Sequence, residues 1–324
     1  MTWLMIIGGL ALLLVGGELL VRGAVRVASQ LGVSPLIIGL TLVGFGTSTP
    51  ELVTSVQAAV NGSPGIAFGN IVGSSIANLL LILGASAMLT PIVVQSSALR
   101  RDAVLMVAVA IVFALLSPLF PLGRLVGLMF VAALGAYIYI AIRQEAAATP
   151  AHGAVYDKSL AAQNADTALV PQKSPGSSVL LPLATSLTGL AIVVLGGYFL
   201  VNGAVDLARS AGISETVIGL TIVAVGTSMP ELVTSLVAAV RREADVAFGN
   251  IIGSNIYNIL GIGGVTAIIA PSQVPEQIAS FDNVVMVAVS ALVLLFAYTG
   301  RRLARWEGGV LVIGYIGYVW WLWP

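Results

Sequence analysis

The chain has 324 residues, of which 58% are hydrophobic and only 9% charged. Soluble domains carry about 25% charged residues, so this composition belongs to a protein embedded in a bilayer. A formal net charge of zero gives no electrostatic reason to bind nucleic acid, and the absence of cysteine excludes disulfides, thiolate metal sites and thiol chemistry. The single histidine, His152, lies in a polar stretch, which argues against histidine catalysis and zinc ligation.

In chain order, apolar runs long enough to cross a membrane fall at 3–22, 34–60, 65–90, 102–118 and 122–142. The first has no basic leader and no small-residue cleavage site, and its tail recurs near residue 200. It therefore reads as a membrane helix and not as a signal peptide. A polar stretch, 143–178, follows without hydrophobic period and reads as a mobile linker. Five further runs lie at 179–202, 214–240, 245–270, 283–299 and 306–324, giving ten.

The basic residues agree with that count. If the chain changes side at every run, twelve of the 14 Lys and Arg fall on one side and only Arg124 and Arg209 on the other. Basic loops stay in the cytoplasm, so the expected topology has both termini outside and the 143–178 linker cytoplasmic, in the cell's inner (plasma) membrane.

Laid over itself with an offset of 180, the chain matches without a gap, and 39 of 69 positions from Gly16 to Gly84 are identical. An odd number of spans per copy turns the second copy upside down. The expected fold is thus an all-α polytopic membrane protein, with ten transmembrane helices in two inverted five-helix repeats (1–142 and 179–324) and broken core helices. Inverted repeats with midplane sites between broken helices characterise secondary transporters.

The most similar segments are polar. GFGTSTPELVTS at 44–55 returns as AVGTSMPELVTS at 224–235. Pro50 removes a donor and clashes one turn back, and Thr49 before it is disfavoured as helical, so the helix is expected to end near Gly44 to Thr47 and restart at Pro50. Free carbonyls there need a partner, and a bound cation would supply one. Glu51 sits in the first turn of the new half-helix. A charged carboxylate at midplane costs at least about 2.5–3.5 kcal/mol unless a cation accompanies it. Thr47 and Ser48 add oxygens, and Glu231, Thr227 and Ser228 mirror the set. The second polar segment puts Asn70, Ser74 and Asn78 on one helical stripe, mirrored by Asn250, Ser254 and Asn258. Asn70 and Asn250 suit interhelical hydrogen bonds as well as ligation, and the hydroxyls suit back-bonding to carbonyls. Folded together, the halves would make an all-oxygen site with two carboxylates, suited to a hard cation such as Ca²⁺. Elsewhere, Glu18 pairs naturally with Arg22 one turn on. Asp102 and Asp282 read as acids beginning helices, and YVWWLW as an interfacial belt.

Paired G-T-S-x-P-E segments, each followed by G-N-x-x-G-S-[SN]-I-x-N, resemble the two alpha repeats of the calcium/cation antiporter superfamily, most closely its bacterial sodium/calcium exchangers. The resemblance covers essentially the whole chain. It implies exchange of Na⁺ for Ca²⁺ by alternating access, with a family expectation of three Na⁺ per Ca²⁺, no cofactor and no enzymatic activity. The expected partners are the two ions and the lipid bilayer, and a single copy of the chain suffices. Glu51 and Glu231 would be the central ligands, joined by Thr47, Ser48, Ser74, Asn78, Thr227, Ser228, Ser254 and Asn258. Carbonyls of Gly44 and Ala224 match Na⁺-ligating positions, and the first and sixth spans resemble the pair that slides across the core. Some relatives carry Asp where this chain has Asn258, which implies here no K⁺ requirement. Three other readings remain. A proton/calcium exchanger typically has small residues where this chain has Ser-x-Pro. A cation channel would need no counter-ion. An intramembrane hydrolase lacks its residues here, with no cysteine, no membrane histidine and no midplane aspartate pair.

Overall fold

The computed structural model describes residues 2–31, 44–93, 97–146, 153–170, 179–242, 244–299 and 302–323. The first part of the expected 34–60 span and His152 lie outside the described residues. Among the described residues the fold is helical apart from a two-residue antiparallel pairing of β1 (Ile92–Val93) with β2 (Arg302–Leu303) and an isolated bridge between Leu122 and Ser272. Six described helices are individually long and apolar enough to span a bilayer. The pair Glu215–Thr227 and Met229–Val240, bent by 49°, makes a seventh.

The first half contains α1 (Thr2–Gln30), a short turn α2 (Gly44–Gly46), α3 (Thr49–Val60) and α4, which runs from Pro64 to Leu89. It ends with α5 (Ser97–Leu116) and α6 (Arg124–Ala146). The linker region contributes α7 (Ala154–Ala165). The second half comprises α8 (Leu180–Ala211), α9 (Glu215–Thr227), α10 (Met229–Val240), α11 from Ala244 through Ile269, α12 (Asn283–Thr299) and α13 (Arg305–Leu322).

Helices α1 and α8 form a long antiparallel pair, and glycine lets their backbones approach. A Cβ on Gly9 would lie 2.6 Å from the Leu200 nitrogen, and one on Gly16 would lie 2.7 Å from the Val193 nitrogen. Small residues repeated along a helix permit such close crossing where lipid offers no hydrophobic drive to association. Most of the pair's remaining surface carries apolar side chains such as Leu4, Ile7, Leu180 and Leu187 outward. By contrast α4 and the Val246–Ile269 part of α11 are about nine-tenths buried. These two helices form the centre, wrapped by the others.

Both central helices lose α-helical pitch at one place. Asn78–Ile82 and Tyr257–Gly263 are π-helical, and their first polar residues, Asn78 and Asn258, are repeat counterparts. The apolar pattern gives no sign of these wider turns, which recur at functional sites in helices.

The linker departs from expectation. A polar stretch expected to be mobile holds α7, whose Ala154, Val155, Asp157, Lys158 and Ala161 are buried against α10 and α11. Charge pairing, which hydropathy does not register, holds it there.

The glycine contact is testable. Replacing Gly16 with Leu wedges α1 from α8 and is expected to cost about 1–3 kcal/mol. Gly8, with open space around its Cβ position, is the control. Thermal unfolding in detergent should show a lowered Tm for Gly16→Leu and little change for Gly8→Leu.

Candidate ion-binding site

The helix breaks build the site. Ser48, with φ −90° and ψ 10°, is the residue that leaves helical geometry, and Ser228 does the same at φ −82° and ψ 12°. The break therefore falls before Thr49, which is the first helical residue, and not at Pro50 as expected. Pro50 occupies the second helical position, where the missing N–H would be unpaired in any case. This register has a consequence for Ser48. An N-cap serine ordinarily accepts from an N–H in the first turn, but here it makes no capping bond. Its hydroxyl instead crosses to the other repeat and donates to Glu231 Oε1 at 3.1 Å. Ser228 does the reverse, donating to Glu51 Oε1 at 3.1 Å. Each carboxylate is thus held by the helix break of the opposite half.

Glu51 and Glu231 are both 1% exposed and lie in the first turns of α3 and α10, where the helix dipole favours a negative charge. The second carboxylate oxygen of each has no protein partner. Nor do the hydroxyl of Thr47, the carbonyl oxygen of Asn78 or either amide atom of Asn258. Buried polar atoms without a partner are uncommon in proteins, and a bound ion or water is one way of satisfying them. Among the described residues no set of three or more His, Cys, Asp and Glu groups converges. The two carboxylates of the candidate site lie among hydroxyl and amide groups, with one basic side chain, Lys158, beside Glu231.

The other expected residues take distinct places. Asn70 donates to the Glu51 carbonyl at 3.1 Å and to the Ser55 hydroxyl at 2.9 Å, and Asn250 repeats the pattern with Glu231 at 3.3 Å and Ser235 at 2.7 Å. These asparagines tie each central helix to the half-helix bearing its glutamate, so the interhelical bonding expected of them is present, while Asn250 Oδ1 keeps no protein partner. Thr227 donates to Asn70 Oδ1 at 2.9 Å, and Ser74 reaches the Ala224 carbonyl at 3.3 Å. Asn78 donates to Asn255 Oδ1 at 3.0 Å, bridging the two central helices. Gly44 is buried at the start of α2. Ser254 meets a partner the motif does not contain: Lys158 of the linker helix, fully buried, lies 2.6 Å from the Ser254 hydroxyl and 3.3 Å from Glu231 Oε1. No motif or period marks this lysine; only the scarcity of lysines in the chain could have drawn attention to it.

Helix α1 runs over both breaks. A Cβ on Gly46 would collide with Val21, and one on Gly226 would lie 2.6 Å from Leu10 Cδ2. A cavity of about 310 Å³ opens beside this crossing, lined by Glu18, Thr47, Pro50, Met229 and Asp166 among others. The expected Glu18–Arg22 ion pair is present, and Arg22 also reaches Asp166 at 2.7 Å. The two aspartates are not simple helix-starting acids. Asp102 lies in the sixth position of α5 and accepts from the Ala154 nitrogen of the linker at 2.8 Å. Asp282 closes the π-helical turn Ile278–Asp282 that runs into α12, is buried, and accepts from the Tyr318 hydroxyl at 2.8 Å. Each has a partner distant in sequence, and Asp102 also pairs with its neighbour Arg101 at 2.7 Å.

A family model described as sodium/calcium exchanger protein matches residues 1–143 and 181–323. The chain belongs to the sodium/calcium exchanger family. Within the calcium/cation antiporter superfamily it sits with the bacterial branch. It is 39% identical over 313 residues to the putative antiporter CaxA of Alkalimonas amylolytica, covering 96% of this chain and 95% of that one. It is 34% identical over 345 residues to the sodium/calcium exchanger MaX1 of Methanosarcina acetivorans, covering 98% and 97%. A solved structure of the sodium-calcium exchanger NCX_Mj, soaked without Na⁺ and Ca²⁺, superposes with a TM-score of 0.61 at 30% identity, covering 99% of both chains. The chain is accordingly a multi-pass membrane protein of a cation antiporter family.

Asn70 and Asn250 give the second prediction. Changing either to Leu leaves a glutamate carbonyl and a serine hydroxyl without their donor, at an expected cost of about 1–3 kcal/mol each. Thermal unfolding in detergent should register a loss for both variants, larger for Asn70→Leu, because Asn70 Oδ1 also accepts from Thr227.

Proposed function

We propose that the chain is a secondary antiporter that exchanges Na⁺ for Ca²⁺ at one site between the two helix breaks. The observation that carries this reading is the crossed pairing of Ser48 with Glu231 and Ser228 with Glu51, which holds two buried carboxylates with their outer oxygens free. A Ca²⁺ ion takes six to eight oxygens, several of them carboxylate. On this reading Glu51 and Glu231 are central ligands. Thr47, Ser48, Ser74 and Asn78 contribute from one half, and Thr227, Ser228, Ser254 and Asn258 from the other. The carbonyls of Gly44 and Ala224 are ligands for Na⁺.

The chemistry of coupling follows from charge. Two ionised carboxylates in a dry site make the empty form costly to close. One Ca²⁺ or several Na⁺ relieve that cost, and they compete for one set of oxygens, so loading by one ion requires departure of the other. Alternating access is assigned to the α1–α8 pair. Its glycine-mediated contacts, including Val21 on Gly46 and Leu10 on Gly226, permit sliding across the breaks without unpacking α4 and α11. The topology proposed is ten spans in two inverted repeats, 1–142 and 179–324, joined by the 143–178 linker in the cytoplasm with both termini outside, in the cell's inner membrane. It rests on the charge asymmetry and on the repeat. No cofactor is required, and one copy of the chain suffices.

Proteoliposomes loaded with Na⁺ and diluted into Na⁺-free buffer should take up ⁴⁵Ca²⁺, whereas choline-loaded ones should not. Uptake driven by an imposed pH gradient alone would instead make the protein a proton-coupled exchanger, and uptake indifferent to both gradients would make it a channel. Glu51→Gln and Glu231→Gln should each weaken Ca²⁺ binding at least about tenfold, since affinity at oxygen sites follows ligand charge. Because Asn78 and Asn258 are neutral at symmetric positions, K⁺ on either side should leave the initial rate unchanged. A K⁺-stimulated rate would show that two carboxylates are not the whole cation site.

A further inference from the structure

We propose that Asn255 is a positioning residue for the ion site. It turns the Asn78 amide so that the oxygen is offered to the ion, while Asn258, the counterpart of Asn78, is left free to turn. The proposal rests on the reading that places Asn78 and Asn258 among the ion's ligands.

A chain of hydrogen bonds between the two central helices fixes which atom faces which. An asparagine amide carries an acceptor on one side and two N–H donors on the other, and flipping it exchanges them. The Ser75 carbonyl on α4 can only accept. Asn255 on α11 therefore presents Nδ2 to it, at 3.2 Å, and the same nitrogen lies 3.6 Å from Met106 Sδ on α5. That leaves Asn255 Oδ1 facing Asn78, which has to answer with a donor, and Asn78 Nδ2 does so at 3.0 Å. The Asn78 oxygen is thereby turned away from the bridge. It has no protein partner, although the residue is buried. One backbone carbonyl thus decides, through two amides in series, that Asn78 offers an acceptor. A cation needs an acceptor, and an amide held the other way would present N–H groups to it.

The opposite half lacks this chain. At the offset of 180, Asn78 corresponds to Asn258 and Asn255 to Ser75. The Ser75 hydroxyl donates to the Ile71 carbonyl at 2.9 Å, one turn back on its own helix. Neither Oδ1 nor Nδ2 of Asn258 has a partner among the described residues. Two buried asparagines at equivalent positions therefore differ. One has its oxygen set in advance, and the other has to be turned at each binding event. Orienting a ligand before the ion arrives removes an ordering cost from binding, which is how partners behind metal ligands raise affinity. The asymmetry comes down to one residue, because its surroundings are duplicated: Met106, beside Asn255, has the equally buried Met286 as its counterpart.

The experiment is equilibrium binding of ⁴⁵Ca²⁺ to the purified full chain, read beside thermal unfolding. Asn255→Ser gives this position the residue its counterpart carries. It is expected to weaken Ca²⁺ binding about tenfold, the lower end of what losing a partner behind a metal ligand costs. Adding Ser75→Asn moves the anchor to the other half, where it meets Asn258, and is expected to recover most of the lost affinity. An unchanged Ca²⁺ affinity in Asn255→Ser with a lowered Tm would show that the bond only ties α4 to α11, and would overturn the proposal. A double variant that binds as weakly as Asn255→Ser would overturn it too. The readout is binding, so it does not depend on the driving ion. A chain that binds Ca²⁺ with the expected pattern but exchanges it for protons loses the Na⁺ reading and keeps the role of Asn255, whereas a wild-type chain that binds no Ca²⁺ loses both.

Discussion

The structure depends on holding two carboxylates in an apolar interior without neutralising them permanently. A buried charge paired to a fixed partner is stable but inert, and an unpaired one is costly enough to unfold a membrane protein. The chain takes a middle course. Each of Glu51 and Glu231 receives one hydroxyl from the opposite helix break and keeps one oxygen free. The pairing is sufficient to hold geometry and insufficient to satisfy charge. On the exchange reading a mobile cation completes it, which is what a carrier requires of its site.

Other features follow from this constraint. The half-helices must end where the glutamates sit, so that first-turn N–H groups face the carboxylates. Proline enforces the end, and serine takes the position that leaves helical geometry. The half-helices must also be fixed, because a carboxylate on a loose helix end would escape to the lipid headgroups. Asn70 and Asn250 fix them by binding the carbonyl of the glutamate residue itself. The long helix α1 crosses both breaks closely, and glycine at positions 46 and 226 gives that proximity.

Much of this was legible in the residues. Duplication, proline and glutamate together mark the breaks, since no other reading explains the same costly combination twice at an offset of 180. The break's register was not legible to one residue. The rule that a residue before proline avoids helix is a tendency, and Thr49 overrides it because the chain gains more by freeing the Ser48 hydroxyl for Glu231. The π-turns at Asn78 and Asn258 were invisible because hydrophobic periodicity in a fully buried helix has no polar face against which to measure a slip. Asp102 looked like a helix-starting acid because sequence shows only local neighbours, whereas its partner Ala154 lies 52 positions away.

Lys158 is the instructive failure. Hydropathy assigns a polar segment to water because it prices each side chain alone. Inside a membrane protein the relevant quantity is the charge of the place a side chain reaches, and the site has a surplus of negative charge. A lysine on a helix that fits a glycine-lined groove is drawn to that surplus for the same reason a metal cation is. A carboxylate placed in an apolar interior draws whatever cation can reach it, so the burial of a charged side chain is set by its surroundings as much as by its own polarity.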